Sequence, residues 1–336
     1  MCVGGLVMVE NANFTTDSSP ELNKIVGGAA IREDAGADAR SGAYTSPYYD
    51  HDGVTIYHGD CREVLPEMSA ESVGAVVTDP PYELGMGGWD RSGVAFDTDT
   101  WRAVLRVMKP GSHLFAFGGT RTYHHLGGAI EDAGFEIRDC VAWLHGQGFP
   151  KGQNLKPGFE PILLARKSGL HVLNIDPGRL NSGRWPANVV LDESAATALD
   201  DQSGEVGNGW KRNYGEDYAA EERQYGGGVF GGGGYKGAST YVDSGGASRF
   251  FYCAKASKSD RGRDNDHPTV KPVELMRWLI RLVGRPVGGI LDPFVGSGTT
   301  LQAAFLEHHA AIGIEMDAHY CDLSVRRLSA VQPGMI

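Results

Sequence analysis

The sequence has few cysteines and no long hydrophobic run, and both absences narrow the classes of protein that it can encode. Its five cysteines are scattered over 336 residues without a Cys-x-x-Cys pair, so the sequence indicates neither a metal site nor a disulfide framework. A reducing compartment, the cytoplasm, is the simplest interpretation. The apolar start, Met1 to Val9, has no basic flank and is too short for a signal peptide or a membrane-spanning helix. We therefore predict no metal and no membrane contact.

Basic side chains are also fewer than acidic ones, which gives a formal net charge of −11. Residues 1–100 hold 17 acidic and five basic side chains, which accounts for the whole excess, whereas residues 249–285 hold nine basic and four acidic ones. A local basic stripe can bind phosphates in an acidic protein, because charges beyond a Debye length of ~8 Å are largely screened. A solvated loop is the alternative. The predicted phosphate contacts are Lys255, Lys258, Arg261 and Arg263.

A stiff acidic turn follows the apolar stretch that begins at Gly74. Val76-Val77-Thr78 reads as a short buried parallel strand, and Asp79-Pro80-Pro81-Tyr82 comes directly after it. Ligands of open α/β sheets bind at this carboxyl end of the strands. The two prolines fix the backbone and remove two donors, Asp79 adds a carboxylate and Tyr82 a flat aromatic face. Such a set suits a planar ring with an exocyclic amino group.

A second strand is followed by a glycine-rich turn and a helix. The stretch runs from Gly289 to Thr300 and contains Asp292-Pro293-Phe294 and Gly296-Ser297-Gly298 before a helix that opens at Thr299. Glycines there allow close approach to the backbone, and the helix N-terminus favours a carboxylate. The next strand ends in Glu315, a position that typically holds ribose hydroxyls. A P-loop is excluded because no lysine follows the glycines.

Together the two motifs resemble the amino-group DNA methyltransferases that use S-adenosylmethionine. The Asp79 motif precedes the Asp292 motif by 213 residues, an order that resembles the β class of the family. The flanking segments 56–61 and 267–272 are also similar to the family, and the resemblance covers about residues 48–328. Segments 148–151 and 156–162 resemble versions encoded by phages or mobile elements.

The resemblance implies a Rossmann-like class I methyltransferase fold. This α/β fold is a doubly wound, mostly parallel seven-stranded sheet, circularly permuted, with an antiparallel hairpin at one edge, for which the strands 136–144 and 160–166 are the candidates. Residues 47–169 form its catalytic half and residues 267–336 its cofactor half. Residues 170–266, which break the strand–helix rhythm and carry a glycine-rich tract, form a loop-rich target-recognition insertion. Residues 1–46 are predicted to be a disordered or loosely attached extension, and residues 83–99 a mobile loop over the site.

The family also suggests roles for individual residues. Asp60 is assigned to the adenine amino group of the cofactor, although an N-cap for the next helix fits its position equally well. The catalytic set is Asp79, Pro80, Pro81 and Tyr82. The set that binds S-adenosylmethionine is Asp60, Asp79, Lys271, Asp292, Pro293, Phe294, Gly296, Ser297, Gly298, Thr299 and Glu315.

The predicted function is methylation of an exocyclic amine on a flipped-out base of double-stranded DNA. Asp in the first motif position leans toward N6 of adenine in this family, and N4 of cytosine is the alternative. An RNA or protein amide methyltransferase more often carries Asn there, and a catalytically idle DNA-binding remnant would not keep both motifs intact. Methylation of cytosine carbon 5 needs a cysteine, usually after proline, and no cysteine follows a proline. We expect a stand-alone, restriction–modification-like enzyme, monomeric or dimeric, in the cytoplasm of a bacterial or phage-infected cell.

Overall fold

One mixed β-sheet organises the computed structural model, which describes residues 46–85, 89–146, 155–180, 183, 185–205, 244–254 and 265–331. The ten strands have the spatial order β1-β2-β10-β9-β3-β4-β6-β5-β7-β8. In chain order they are β1 Tyr49–His51, β2 Val54–His58, β3 Ala75–Thr78, β4 His113–Phe117, β5 Glu136–Leu144, β6 Phe159–Arg166, β7 Val189–Asp192, β8 Tyr252–Ala254, β9 Ile290–Asp292 and β10 Ala311–Glu315. The α-helices are α1 Cys61–Glu67, α2 Thr98–Val107, α3 Tyr123–Asp132, α4 Glu193–Ser203, α5 Val273–Val283, α6 Thr299–Leu306 and α7 Ala318–Ser329.

Helices cover both faces of the sheet, as the apolar strands require. The centre of the sheet is shielded from solvent, because every residue of β3 and β4 is buried. Successive side chains of a strand point to opposite faces. Val77 accordingly joins a core with Trp278 of α5, whereas Val76 joins a second core with Trp101 of α2 and Ile130 of α3. This doubly wound arrangement places the carboxyl ends of the parallel strands at one open edge.

The sheet has ten strands, so the predicted number of seven is wrong, although the prediction of a mostly parallel sheet is confirmed. Only β1 and β6 pair antiparallel with their neighbours among the described strands. Strands β5 and β6 do form the predicted antiparallel pair. The pair lies inside the sheet rather than at its edge, because β7 and β8 continue the sheet beyond β5.

The segment predicted as a loop-rich insertion supplies part of the sheet. Strands β7 and β8 both pair parallel, and α4 connects to β7 directly. The expectation that residues 170–266 break the strand–helix rhythm is therefore wrong for this described part. The glycine-rich tract, the four predicted phosphate contacts and residues 1–45 lie outside the described residues.

Two further expectations concern loops and membranes. The loop predicted over the site contains two short 3-10 helices, Trp89–Arg91 and Val94–Phe96, and buried Asp90 accepts a hydrogen bond from the Leu84 backbone at 2.9 Å. Within the ranges that the structure describes, no helix is both long and apolar enough to cross a bilayer.

Candidate active site

A pocket of about 460 Å³ lies at the carboxyl edge of the sheet, where β3 and β9 run side by side. The predicted catalytic turn follows β3 and the predicted cofactor turn follows β9, so adjacent parallel strands bring together motifs that are far apart in sequence. The predicted residues that line the pocket are Asp60, Asp79, Pro80, Pro81, Tyr82, Lys271, Asp292, Pro293, Phe294, Gly296, Ser297, Thr299 and Glu315. Of the predicted catalytic and cofactor residues, only Gly298 is outside this lining.

Asp292 fixes the turn that follows β9. Its Oδ1 accepts hydrogen bonds from the Thr78 hydroxyl at 2.6 Å and from the Phe294 backbone at 3.0 Å, and its Oδ2 accepts from the Thr300 hydroxyl. The side chain is buried, and this burial raises its pKa to about 6 despite the hydrogen bonds. Because the Thr78 bond ties the end of β3 to the end of β9, Asp292 holds the two halves of the pocket in register.

The glycine turn depends on backbone conformations that other residues avoid. Gly296 and Gly298 have φ values of +53° and +83°. A Cβ on Gly298 would lie 2.7 Å from the Ser324 hydroxyl of α7, so Gly298 shapes the turn from behind rather than from inside the pocket. Arg327 of α7 also supports the turn, because its guanidinium donates to the Ser297 carbonyl at 2.6 Å.

Glu315 lines the pocket at the end of β10. Its Oε2 accepts from the Gly296 backbone at 2.7 Å and its Oε1 from the Asp317 backbone at 2.9 Å. Burial raises the pKa of Glu315 to about 7 in spite of these two bonds. The carboxyl group is therefore shared between its neutral and charged forms near neutral pH.

Asp60 acts as the N-cap of α1, so one of its two predicted roles is confirmed. Its Oδ1 accepts from the Arg62 backbone at 2.9 Å, and the Arg62 guanidinium pairs with the same carboxylate. The hydrogen bonds from Arg62 hold the pKa of Asp60 below its usual range, although burial opposes them. Asp60 also lines the pocket, so contact with a ligand remains compatible with its capping role.

The catalytic end of the pocket is built around an ion pair between Asp79 and Lys271. Their Oδ2 and Nζ atoms are 2.6 Å apart, and the lysine side chain is only 8% exposed. Asp79 Oδ1 is buried and has no hydrogen-bond partner among the described residues. Lys271, predicted with the cofactor set, therefore contacts the predicted catalytic carboxylate directly. One carboxylate oxygen is paired with Lys271, and the other is buried with its acceptor capacity unused among the described residues.

Sequence reasoning missed Glu160 and His145, which surround this pair. The Tyr82 hydroxyl donates to Glu160 Oε2 at 2.8 Å, and Lys271 Nζ lies 3.5 Å from the same oxygen. His145 Nε2 lies 3.5 Å from Glu160 Oε1. Burial opposes ionisation of Glu160, but Lys271, His145 and Tyr82 outweigh it and lower the pKa of Glu160 to about 2. The sequence signal was Glu160-Pro161-Ile162, which the family resemblance includes without a role for the glutamate.

Comparison with known proteins decides the family. The family model for N6/N4 DNA methylases, described as DNA methylase, matches residues 73–326. The chain belongs to this family.

Among its relatives, the type II methyltransferase M2.DpnII of Streptococcus pneumoniae is 25% identical over 315 residues, which cover 85% of this chain and 93% of the relative. M2.LlaDCHI of Lactococcus lactis subsp. cremoris is 24% identical over 314 residues, with the same two shares covered. The solved structure of PvuII DNA methyltransferase, described as cytosine-N4-specific, is 18% identical with a TM-score of 0.51. That match covers 87% of this chain and 89% of PvuII.

Family membership confirms the predicted amino-group DNA methyltransferase activity and its S-adenosylmethionine cofactor. The PvuII match adds only that the fold is shared, because the identity is low. The target of this N6/N4 DNA methylase is accordingly either N6 of adenine or N4 of cytosine. The β-class motif order and the phage-like origin stay predictions.

Proposed function

We propose that this N6/N4 DNA methylase transfers a methyl group to N6 of a flipped-out adenine in double-stranded DNA. The observation that carries the proposal is that Asp79 and Tyr82 line one pocket, and that Asp79 Oδ1 is buried without a hydrogen-bond partner in the described part of the chain. An exocyclic amine donates hydrogen bonds, and an acceptor beside an aromatic face binds it. The choice of adenine over cytosine depends on the aspartate in the first position of the catalytic motif.

Methyl transfer to an exocyclic amine depends mainly on how the amine and the methyl group are positioned. The amine of an adenine is a poor nucleophile, because its lone pair is delocalised into the ring. Asp79 Oδ1 and the Pro80 carbonyl, both acceptors, would bind the two amine hydrogens and turn the lone pair toward the methyl group. S-adenosylmethionine, when bound, supplies a methyl group that its sulfonium already activates. Asp79 needs no strong basicity, since the amine can lose its proton after transfer. Alignment and electrostatics therefore supply most of the rate.

The other end of the pocket suits the cofactor. Glu315 offers a buried carboxylate where ribose hydroxyls could donate, and Asp60 offers an acceptor for the adenine amino group. The turn from Gly296 to Gly298 leads into the N-terminus of α6, which favours the methionine carboxylate. These residues lie in the same pocket as Asp79, as transfer from cofactor to base requires.

The target base is out of reach inside a duplex, so the enzyme must flip it, at a cost of a few kcal/mol. We assign the phosphate contacts to Lys255, Lys258, Arg261 and Arg263, as the charge distribution predicts. The described chain leaves at Ala254, at the carboxyl end of β8, and returns at Asn265, two residues before the pocket residue His267. The described residues on either side of the basic segment thus lie close to the carboxyl edge of the sheet.

Nucleoside analysis tests the proposal. DNA from cells that express the wild-type enzyme, and from cells that express Asp79→Ala as a matched control, is digested to nucleosides for mass spectrometry. We expect N6-methyldeoxyadenosine in the wild-type sample alone. Detection of N4-methyldeoxycytidine instead would show that the target is N4 of cytosine and not N6 of adenine. Neither product above the control would contradict the proposed function.

A further inference from the structure

Glu160 joins three side chains of the catalytic end that come from different parts of the fold. Its Oε2 accepts from the Tyr82 hydroxyl at 2.8 Å and lies 3.5 Å from Lys271 Nζ, and its Oε1 faces His145. Glu160 sits near the start of β6, opposite Trp143 of β5, and β4 pairs with the other edge of this strand from Ile162 onward. This strand therefore presents a carboxylate to both the stacking aromatic and the catalytic ion pair.

The two oxygens of Asp79 are unequal because of this arrangement. Lys271 occupies Oδ2 at 2.6 Å, and Oδ1 remains without a hydrogen-bond partner in the described part of the chain. Lys271 Nζ is itself located by its second carboxylate, Glu160, and by the faces of Tyr82 and Phe117, whose ring centres lie 5.2 and 5.1 Å away. The position of the lysine thus decides which carboxylate oxygen is available to a base.

We propose that Glu160 is a positioning residue for methyl transfer, which holds Tyr82 for stacking and Lys271 on Oδ2 of Asp79 so that Oδ1 meets the target amine. This inference rests on the proposed role of Asp79 as the acceptor for that amine. Without the Glu160 carboxylate, the Tyr82 hydroxyl loses its charged acceptor and the lysine keeps only one anion. Both the aromatic plate and the acceptor would then lose their fixed geometry.

The charges around Lys271 give the role a measurable signature. The groups that face its ammonium are Asp79 after β3, Glu160 on β6 and the Tyr82 ring, and His145 lies behind Glu160. Burial favours a neutral lysine, but the two carboxylates outweigh it and raise the pKa of Lys271. Removal of one carboxylate leaves the effect of burial less opposed, which lowers the pKa of Lys271. The lysine would therefore lose its proton at a lower pH than in the wild type. Rising pH would then release Asp79 from its partner.

The test compares Glu160→Gln with Glu136→Gln as a matched control. Glu136 lies on the neighbouring strand β5, pairs with Arg166 and does not line the pocket. Steady-state kinetics follow the transfer of labelled methyl groups from S-adenosylmethionine to DNA, whichever base receives them, and calorimetry follows cofactor binding. For Glu160→Gln we expect kcat to fall about 10- to 100-fold with cofactor Kd within about threefold, the scale for a catalytic group displaced by around an ångström. The control should match the wild type.

Two further readouts separate positioning from general damage. The kcat of Glu160→Gln should decline with alkaline pH over a range where the wild type is flat. Tyr82→Phe, which keeps the ring but removes the bond to Glu160, should add less to Glu160→Gln than it costs alone, because Glu160→Gln has already replaced the charged acceptor of that bond by a weaker neutral one. An unchanged kcat, a parallel pH profile, or a joint loss of turnover and cofactor binding would overturn the proposal. A cytosine product would overturn the adenine assignment while leaving these comparisons valid.

Discussion

The carboxyl group of Glu315 should make cofactor binding depend on pH, and Glu315→Gln should remove most of that dependence. The side chain is tied to the backbone of Gly296 and Asp317, and burial raises its pKa to about 7. Ribose hydroxyls donate more strongly to a carboxylate than to a neutral acid, because charge-assisted hydrogen bonds are the stronger ones. Binding of S-adenosylmethionine should therefore favour the ionised form.

The magnitude follows from proton competition. Above about pH 7 the carboxylate is already ionised and affinity should be constant. Below that value each pH unit should cost about tenfold in affinity, or about 1.4 kcal/mol, because the proton must leave before binding. Between pH 8 and pH 6 the wild-type affinity should thus fall about tenfold. Asp292, with a pKa of about 6, titrates at the lower end of this pH range. Cofactor binding by Glu315→Gln should therefore keep a weaker dependence on pH there.

Calorimetric titration with S-adenosylmethionine from pH 5.5 to 8.5 measures the effect, and Glu136→Gln serves as the control. Stability gives an independent check of the sign. A carboxyl group whose folded-state pKa lies above its unfolded value of 4.5 binds its proton more tightly when folded, so stability is lost as pH rises through about 4.5 to 7. Glu315→Gln should therefore unfold at a higher temperature than the wild type at pH 8 and at a similar one near pH 4. A wild-type affinity that is flat from pH 6 to 8 would refute the reasoning.

Three other predictions concern the catalytic carboxylate, the glycine turn and DNA. Asp79→Ala should lower turnover by at least ~10²-fold in a methyl-transfer assay with cofactor affinity little changed, and turnover within about tenfold of wild type would remove Asp79 from the mechanism. Gly298→Ala should destabilise the protein by about 1–3 kcal/mol in urea unfolding, since φ is +83° and the new Cβ meets Ser324. Gly128→Ala, in α3 with open space around it, should instead stabilise by about 0.5–1 kcal/mol, and equal effects of the two would contradict the strain argument. Neutralising the four predicted phosphate contacts should flatten the slope of log affinity against log salt by about one to four units, and parallel lines with equal intercepts would place DNA elsewhere. Those contacts are Lys255, Lys258, Arg261 and Arg263.

The two halves of the pocket could be predicted because each is a local pattern. A buried strand of apolar residues ends at Asp79 or Asp292, and the turn chemistry that follows is written in consecutive residues. Parallel strands share a carboxyl edge, so the sequence alone placed both motifs at one site. The same argument explains why the sequence could not separate Gly298 from the glycine that lines the pocket. Local sequence shows that a glycine turn exists, but the contact with Ser324 of α7 decides which glycine faces the pocket.

Glu160 and the strands β7 and β8 could not be predicted, for different physical reasons. Lys271 contacts both Glu160 and Asp79, so the cluster joins three segments that are far apart in the chain. The local sequence of β6 does not show the strand register that points the Glu160 side chain inward. Strands β7 and β8 are as short as β3 and β9, with four and three residues, but neither is followed directly by a proline turn that would mark the end of a strand. Their existence depends on pairing with β5, which is a tertiary effect.

The acidic composition of the pocket opposes DNA less than a count of its carboxyl groups indicates. Asp79 is paired with Lys271 and Asp60 with Arg62, and each pair is nearly neutral beyond a few ångströms. The pKa values of Asp292 and Glu315, about 6 and about 7, keep part of their charge suppressed near neutral pH. A phosphate that approaches the carboxyl edge therefore meets a weaker negative field than the formal charge of −11 implies. The described strand β8 ends at Ala254 at that edge, directly before the predicted contacts of segment 255–263 in the sequence, so we predict that a few phosphate contacts suffice for binding. A shallow salt dependence, reduced further in the variant with all four contacts neutralised, is the behaviour that this distribution of charge requires.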